Sequence, residues 1–183
     1  MQADTLRGKN NKTAGDEMII LETERMVLRT LELEDIDSVM EFWGDTEVMK
    51  YCGGACTKER ELMSLKYYIN MQKEKGFSPY LAILKESNEV IGVCGFNPPN
   101  HGYDAELMYH LAKKHWGKGY ATEAAKGCIE YAKNNLKIKN IVALIDADNK
   151  VSKNVLEKLG FSYMGMKWCG ETNKQEPYFE MIF

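Results

Sequence analysis

Apolar residues recur along the chain with two different periods, and a change of period indicates where a strand gives way to a helix. Short runs with alternating or continuous apolar residues predict strands. Turn-forming glycine, proline and asparagine separate these runs. The predicted strands span residues 26–31, 78–85, 90–96, 105–111, 140–146, 161–169 and 177–183.

Four segments between these strands instead repeat apolar residues every three or four positions, which is typical of amphipathic helices. The first ends at Gly44, and the second begins at a capping Thr57 and ends at Gly76. A third runs to about Asn135, and a fourth lies between a capping Asn149 and Gly160. The side chains predicted to point inward are Ile36, Val39, Met40 and Trp43 in the first helix, Leu62, Leu65, Ile69 and Met71 in the second, and Val151, Val155 and Leu159 in the fourth.

The resulting order, β-α-α-β-β-β-α-β-α-β-β, predicts one α+β, or mixed α/β, domain. A chain of 183 residues is long enough for a single domain with a full core. Residues 1–17 are polar and have no apolar segment, so we expect a disordered N-terminal extension followed by a domain over 18–183.

Composition narrows the classes of function. A net charge of −3 and a pI near 5.7 argue against a general nucleic-acid-binding protein. No apolar run approaches the roughly 20 residues that cross a bilayer, so no membrane partner is expected. The five cysteines form no CxxC pair and no zinc-ligand spacing, which predicts no metal and reduced thiols in a cytoplasm.

The stretch "KKHWGKGYATEAAKGC", residues 113–128, is the strongest candidate for binding chemistry. The stretch does not match a nucleotide P-loop, because Ala112 occupies the position five residues before Gly117 where that motif requires a glycine. It does not match the dinucleotide fingerprint GxGxxG either, because Thr122 occupies the position of the third glycine. A strand, two glycines and a helix start remain, which suit a diphosphate on backbone N–H groups. A plain strand–helix turn with a solvated basic face explains the spacing equally well.

Three segments together resemble a known family. "KKHWGKGYATEA" resembles motif A of the GNAT acetyltransferase superfamily, with Lys114 where Gln or Arg is usual. "DADNKVSKNVLEKLGF" and the opening "LETERMVLRTLELEDID" are similar to its ribosomal-protein N-acetyltransferase (RimJ/RimL-like) branch. The resemblance extends from Ile19 to Phe183.

The resemblance implies a mostly antiparallel central sheet with one splayed parallel strand pair, flanked by helices. It implies acetyl-CoA as co-substrate, held between the strands at 105–111 and 140–146. The residues expected to bind it are Met108, Tyr109 and His110 along the strand, Lys114, His115, Trp116, Gly117, Lys118, Gly119, Tyr120 and Ala121 in the loop, and Asn149 and Ser152.

The resemblance also implies direct attack of an amine on the thioester, without a covalent enzyme intermediate. We expect Glu106 to act as base, although a purely structural carboxylate explains it as well. Many members carry a tyrosine acid five residues before the phenylalanine of "GF", where this chain has Leu156. The RimJ/RimL-like branch carries "NxxS" instead, which places Ser152 near the sulfur.

The acceptor is expected to be a protein N-terminus or a small-molecule amine, beside Trp43, Tyr51 and Trp168. Aromatic residues at such positions also serve simply as core. The protein is expected to be a monomer or a homodimer. A non-catalytic acyl-CoA-binding module is the competing hypothesis, and only the enzyme would release CoA when an amine is supplied.

Overall fold

A computed structural model of the chain describes residues 18–98, 104–170 and 172–183. The expectation for residues 1–17 lies outside this range, as does part of the loop after residue 97. The strands are β1 (Ile19–Glu22), β2 (Met26–Arg29), β3 (Pro79–Leu84), β4 (Val90–Asn97), β5 (Ala105–Leu111), β6 (Asn140–Leu144), β7 (Ser162–Cys169) and β8 (Lys174–Ile182). The α-helices are α1 (Ile36–Trp43), α2 (Lys58–Lys75), α3 (Tyr120–Asn135) and α4 (Lys150–Leu159).

The eight strands form one sheet in the order β1-β2-β3-β4-β5-β6-β8-β7. Every neighbouring pair is antiparallel except β5 and β6, which are parallel. The expected mixed sheet with a single parallel pair is therefore confirmed.

Two hydrophobic cores lie on opposite sides of the sheet. Strand β5 contributes to both, because its successive residues point to opposite faces. Ala105 and Leu107 join the core that includes the α3 residues Ala124 and Cys128. Met108 joins the core that includes α1 and α2. The sheet thus separates the helix pair α1–α2 from the pair α3–α4.

The predicted ends of the helices agree with the structure. The Thr57 hydroxyl accepts a hydrogen bond from the Arg60 N–H, and Asn149 caps α4 through the Ser152 N–H. Gly76 and Gly160 end α2 and α4 in the left-handed conformation that glycine adopts readily.

The structure corrects three details of the sequence analysis. Strand β1 was not predicted, and β8 begins at Lys174 rather than at residue 177. Val151 was expected to point inward, but it is 75% exposed, whereas Leu156 is fully buried. Val151 lies at the N-terminal end of α4, where it borders an open cleft.

Candidate active site

A wedge in the sheet creates the principal cleft. Strands β5 and β6 pair only at Ala105–Ile141 and Glu106–Val142. Beyond these pairs β5 continues along β4 to Leu111, while β6 follows β8. Within the described residues, the remaining β6-facing edge of β5 has no strand partner. A cleft of about 1000 Å³ opens here and extends to the α3 N-terminus on one side and to α1 and α2 on the other.

The loop before α3 presents a row of free backbone donors to this cleft. Within the described part of the chain, the N–H groups of residues 117–122 make no hydrogen bond. Gly117 and Gly119 adopt φ angles of +74° and +82°, which turn the chain sharply into the helix. The positive end of the 16-residue α3 adds to these donors. This arrangement suits the negative oxygens of a pyrophosphate.

The backbone N–H groups available to a ligand differ from the expected set at both ends of the loop. The N–H of Trp116 bonds to the Lys113 carbonyl, so it is not available to a ligand. The Trp116 indole N–H donates to the Leu111 carbonyl at 2.8 Å and ties the loop to the end of β5. The N–H of Thr122, which the sequence analysis did not include, extends the row on the other side.

A clamp from the β1–β2 turn holds the loop in place. The Glu123 carboxylate accepts hydrogen bonds from the Thr23 hydroxyl at 2.6 Å and from the Arg25 backbone and Nε at 2.9 and 2.6 Å. Arg25 also donates to the Lys118 carbonyl at 3.0 Å and covers the Tyr120 ring. Partial burial opposes ionisation, but the hydrogen bonds from Thr23 and Arg25 hold the pKa of Glu123 below its ordinary value. Glu123 is therefore ionised, and with the Arg25 guanidinium it forms an ion pair that carries no net charge.

Lys113 and Lys114 of the loop form ion pairs with carboxylates. Lys114 Nζ lies 2.7 Å from Glu89 and 3.4 Å from Glu41, and neither Lys114 nor Lys118 borders the cleft. His115 is buried under the loop, with Nε2 3.3 Å from the Glu89 carboxylate and its ring edge against Tyr120. The loop therefore borders the cleft through its two glycines, His115, Trp116 and residues 120–122, and not through a lysine.

The opposite wall of the wedge is formed by the start of α4. Asn149 and Ser152 both border the cleft, and the Asn149 side chain accepts from the Ser152 N–H at 3.1 Å. The Tyr109 hydroxyl donates to the Ser152 carbonyl at 3.2 Å. Burial raises the pKa of Tyr109, so this hydroxyl stays protonated. Strand β5 and helix α4 are thereby joined across the cleft, with the Ser152 side chain at its border.

Three polar groups meet where the cleft reaches α1. The Trp43 indole N–H donates to His110 Nδ1 at 3.1 Å, and His110 Nε2 lies 3.3 Å from Cys52 Sγ. Because Nδ1 accepts, the neutral ring carries its proton on Nε2. Cys52 cannot pass its proton to this ring without breaking the Trp43 hydrogen bond. The pair is therefore not arranged as a nucleophile and its base.

The buried position of His110 has a consequence for acid stability. Burial lowers the pKa of His110 to about 4, against 6.5 for an unhindered histidine. Between pH 6.5 and 4 the unfolded chain binds a proton that the folded chain excludes, so folding stability falls over this window. We expect a loss of about 2 kcal/mol, discounted for the partly exposed ring.

Urea unfolding of the wild type and of His110→Gln at pH 7 and pH 4.5 measures this loss. The variant should lose less stability on acidification than the wild type does. An identical loss in both proteins would contradict the assignment.

The remaining predicted residues fall into two groups. Glu106, Met108 and Tyr51 border the cleft. The pKa of Tyr178 is raised mainly by burial, then by the charge of Glu180 and, to a smaller extent, by the charge of Glu106 nearby. Trp168 does not border it, because its side chain is 56% exposed on the edge strand β7. Among the described residues, no group of three or more His, Cys, Asp or Glu side chains is placed to hold a metal ion.

Sequence reasoning missed the clamp that holds the loop and one residue that borders the cleft. The Arg25–Glu123 clamp joins residues 98 positions apart, so no local pattern predicts it. Glu61 also borders the cleft and is only 6% exposed. Its signal was present, since Glu61 lies four residues before the inward-facing Leu65.

Comparison with known proteins agrees with this geometry. The profile of the Acetyltransferase (GNAT) domain family matches residues 25–162. An N-acetyltransferase of Bacillus licheniformis named p20 is 34% identical over 154 residues, covering 81% of this chain and 85% of that protein. The spermidine N(1)-acetyltransferase of Escherichia coli is 28% identical over 141 residues, covering 75% and 73%.

Solved structures show the same architecture. A GNAT-family acetyltransferase from Bacillus anthracis superposes with a TM-score of 0.78 at 27% identity, covering 90% of this chain and 98% of that one. RimL, a ribosomal L7/L12 alpha-N-protein acetyltransferase in complex with coenzyme A, superposes with a TM-score of 0.73 at 14% identity, covering 91% and 98%. Within the described residues, no helix is both long and apolar enough to cross a membrane.

The profile match spans most of the chain, and the B. licheniformis relative aligns over most of both proteins. The chain belongs to the GNAT acetyltransferase family and is an N-acetyltransferase.

Proposed function

We propose that this enzyme moves the acetyl group of acetyl-CoA to a primary amine by direct attack within a ternary complex. The observation that carries the proposal is the row of free N–H groups at residues 117–122, in a loop that borders the same cleft as Asn149 and Ser152 through Gly117, Gly119 and residues 120–122. Backbone donors at a helix N-terminus bind phosphate oxygens without a metal. The splayed edge of β5 between them offers further backbone groups to an extended arm.

Each segment that borders the cleft binds a different part of the cofactor. Residues Gly117–Thr122 bind the pyrophosphate, and the free edge of β5 at Met108–His110 binds the pantetheine arm and polarises the thioester carbonyl. Donors directed at developing oxyanion charge are usually the largest catalytic contribution. Asn149 contributes its amide at the α4 end, where it also caps the helix.

Two residues handle protons. Glu106 lies on the α1–α2 side of β5, where the acceptor would enter, and accepts the ammonium proton directly or through water. The Ser152 hydroxyl hydrogen-bonds or protonates the departing sulfur. Trp43 and Tyr51 form the acceptor wall, and Trp168 is left out because it does not border the cleft.

Membership of the RimJ/RimL-like branch is part of the proposal and is supported by "NxxS" and by the structural likeness to RimL. The acceptors named for similar proteins include spermidine and the ribosomal protein L7/L12. We place the acetyltransferase domain at residues 18–183 and its site of action in the cytoplasm, where reduced thiols persist. Among the described residues, none of the five cysteines forms a disulfide, which suits that compartment.

Release of CoA measured over a panel of primary amines and N-terminal peptides tests the proposal. At least one acceptor should increase release well above the rate with acetyl-CoA alone. Acetyl-CoA should also raise the melting temperature, since it binds the folded chain only. Binding of CoA without release on any acceptor would contradict the proposed reaction and favour a binding module.

A further inference from the structure

An acidic residue occupies an inward position of α2 that normally holds an apolar side chain. Glu61 is in phase with Leu65 and Tyr68, three to four residues apart, on the side of α2 that faces the sheet. Leu65 is fully buried and Glu61 is only 6% exposed. Glu61 nevertheless borders the cleft, together with Trp43 and Tyr68.

The Glu61 carboxylate has no partner in the part of the chain that the structure describes. Among the described residues it makes no side-chain hydrogen bond or ion pair, and only its backbone N–H is engaged, with the Thr57 carbonyl. Other buried carboxylates of the chain are satisfied. Asp35 forms a two-point ion pair with Arg29 at 2.7 and 2.8 Å, and Glu176 accepts from the Thr172 hydroxyl at 2.7 Å.

The Glu61 oxygens are not among the enclosed, unpaired side-chain atoms of the described residues, so they open onto the cleft that Glu61 borders. A carboxylate in the wall of a partly enclosed cleft attracts a cationic ligand more strongly than one at an open surface does. A cation entering the cleft would meet Glu61 directly, since no cationic side chain of the described residues is paired with it. The neighbouring Arg60 is exposed and forms no ion pair with Glu61.

The surroundings suit an alkyl chain that carries positive charge. The Trp43 and Tyr68 rings, with centroids 6.1 Å apart, line the same cleft and provide apolar faces that also attract cations. Glu106 stands on a second wall, on β5. The cleft therefore offers one carboxylate on the strand that carries the proposed thioester site and another on α2.

We propose that Glu61 binds a second cationic group of the acetyl acceptor, so that the preferred acceptor is an aliphatic diamine or polyamine. This inference rests on the proposed function, since it assigns the end of the acceptor that does not react. The amine that reacts is deprotonated near Glu106, while the distant ammonium group stays charged on Glu61.

The test measures kcat/KM for a series of linear monoamines and α,ω-diamines of increasing chain length. The wild type should favour diamines, with an optimum length that reports the distance between the reacting amine and Glu61. Glu61→Gln should reduce the ratio of diamine to monoamine kcat/KM about tenfold, mainly through KM, as expected for one charge-assisted contact. Glu59→Gln is the matched control, because Glu59 lies in the same turn but is exposed and outside the cleft.

The melting temperature of each variant, with and without acetyl-CoA, verifies that the fold and cofactor site are intact. A wild type without diamine preference, or an unchanged ratio in Glu61→Gln, would overturn the inference while leaving the proposed function standing. Faster transfer to N-terminal peptides than to any diamine would also overturn it. Failure with every acceptor would instead contradict the proposed function.

Discussion

Replacing Gly117 with valine is expected to weaken acetyl-CoA binding at least ~100-fold, which corresponds to about 2.7 kcal/mol. Gly117 has a φ of +74°, and a β-branched residue adopts this conformation only with strain. A Cβ built at Gly117 meets no protein atom within 4 Å, so the added side chain would project into open space bordering the cleft. The substitution would therefore both displace the N–H row and occupy space that a phosphate needs.

Gly76→Val is the matched control for this effect. Gly76 ends α2 with a φ of +79°, and its Cβ would also meet nothing within 4 Å. Both variants carry the same kind of backbone strain, but Gly76 does not border the cleft. Calorimetric titration with acetyl-CoA should show a large loss for Gly117→Val and little change for Gly76→Val. Equal affinities of the two variants would show that the loop does not bind the cofactor.

Ser152→Ala is expected to reduce kcat roughly 100-fold while acetyl-CoA affinity changes little, because a positioned proton donor contributes at least this much. The substitution removes only the hydroxyl. The Ser152 N–H remains bonded to Asn149 and its carbonyl to the Tyr109 hydroxyl, so the start of α4 keeps its position. Alanine is also a good helix former, which preserves α4.

Steady-state turnover and equilibrium acetyl-CoA binding separate these two effects. Ser162→Ala, on the exposed edge strand β7, controls for the loss of a hydroxyl elsewhere. Unchanged turnover in Ser152→Ala would remove this residue from the mechanism. A parallel loss of affinity and turnover would assign it to binding alone.

Local patterns in the sequence were sufficient for most elements. The caps at Thr57 and Asn149 and the stops at Gly76 and Gly160 depend on backbone groups within a few residues, so their signals are contained in short segments. Strand β1 was not predicted because its four residues form a short apolar run without alternation. Its pairing with β2, rather than its own composition, makes it a strand.

Predicting the cleft required information that no single segment of the sequence contains. The glycine spacing allowed either an anion site or an ordinary turn, and the structure shows free N–H groups facing an open wedge. The basic residues suggested charge at the rim, but Lys114 is held by Glu89 and Glu41. Trp168 was grouped with the acceptor residues, yet the edge position of β7 leaves it outside the cleft.

By itself, the sequence determined the order of the elements from Met26 onward, the capping residues and the glycine turn into α3, because these follow from periodicity and local hydrogen bonding. Only the tertiary structure decided where β5 and β6 part, how Arg25 and Glu123 hold the loop, and that Glu61 borders the cleft without a partner among the described residues. Such features arise when distant segments meet. Burial and charge pairing belong to the assembled fold rather than to any stretch of chain.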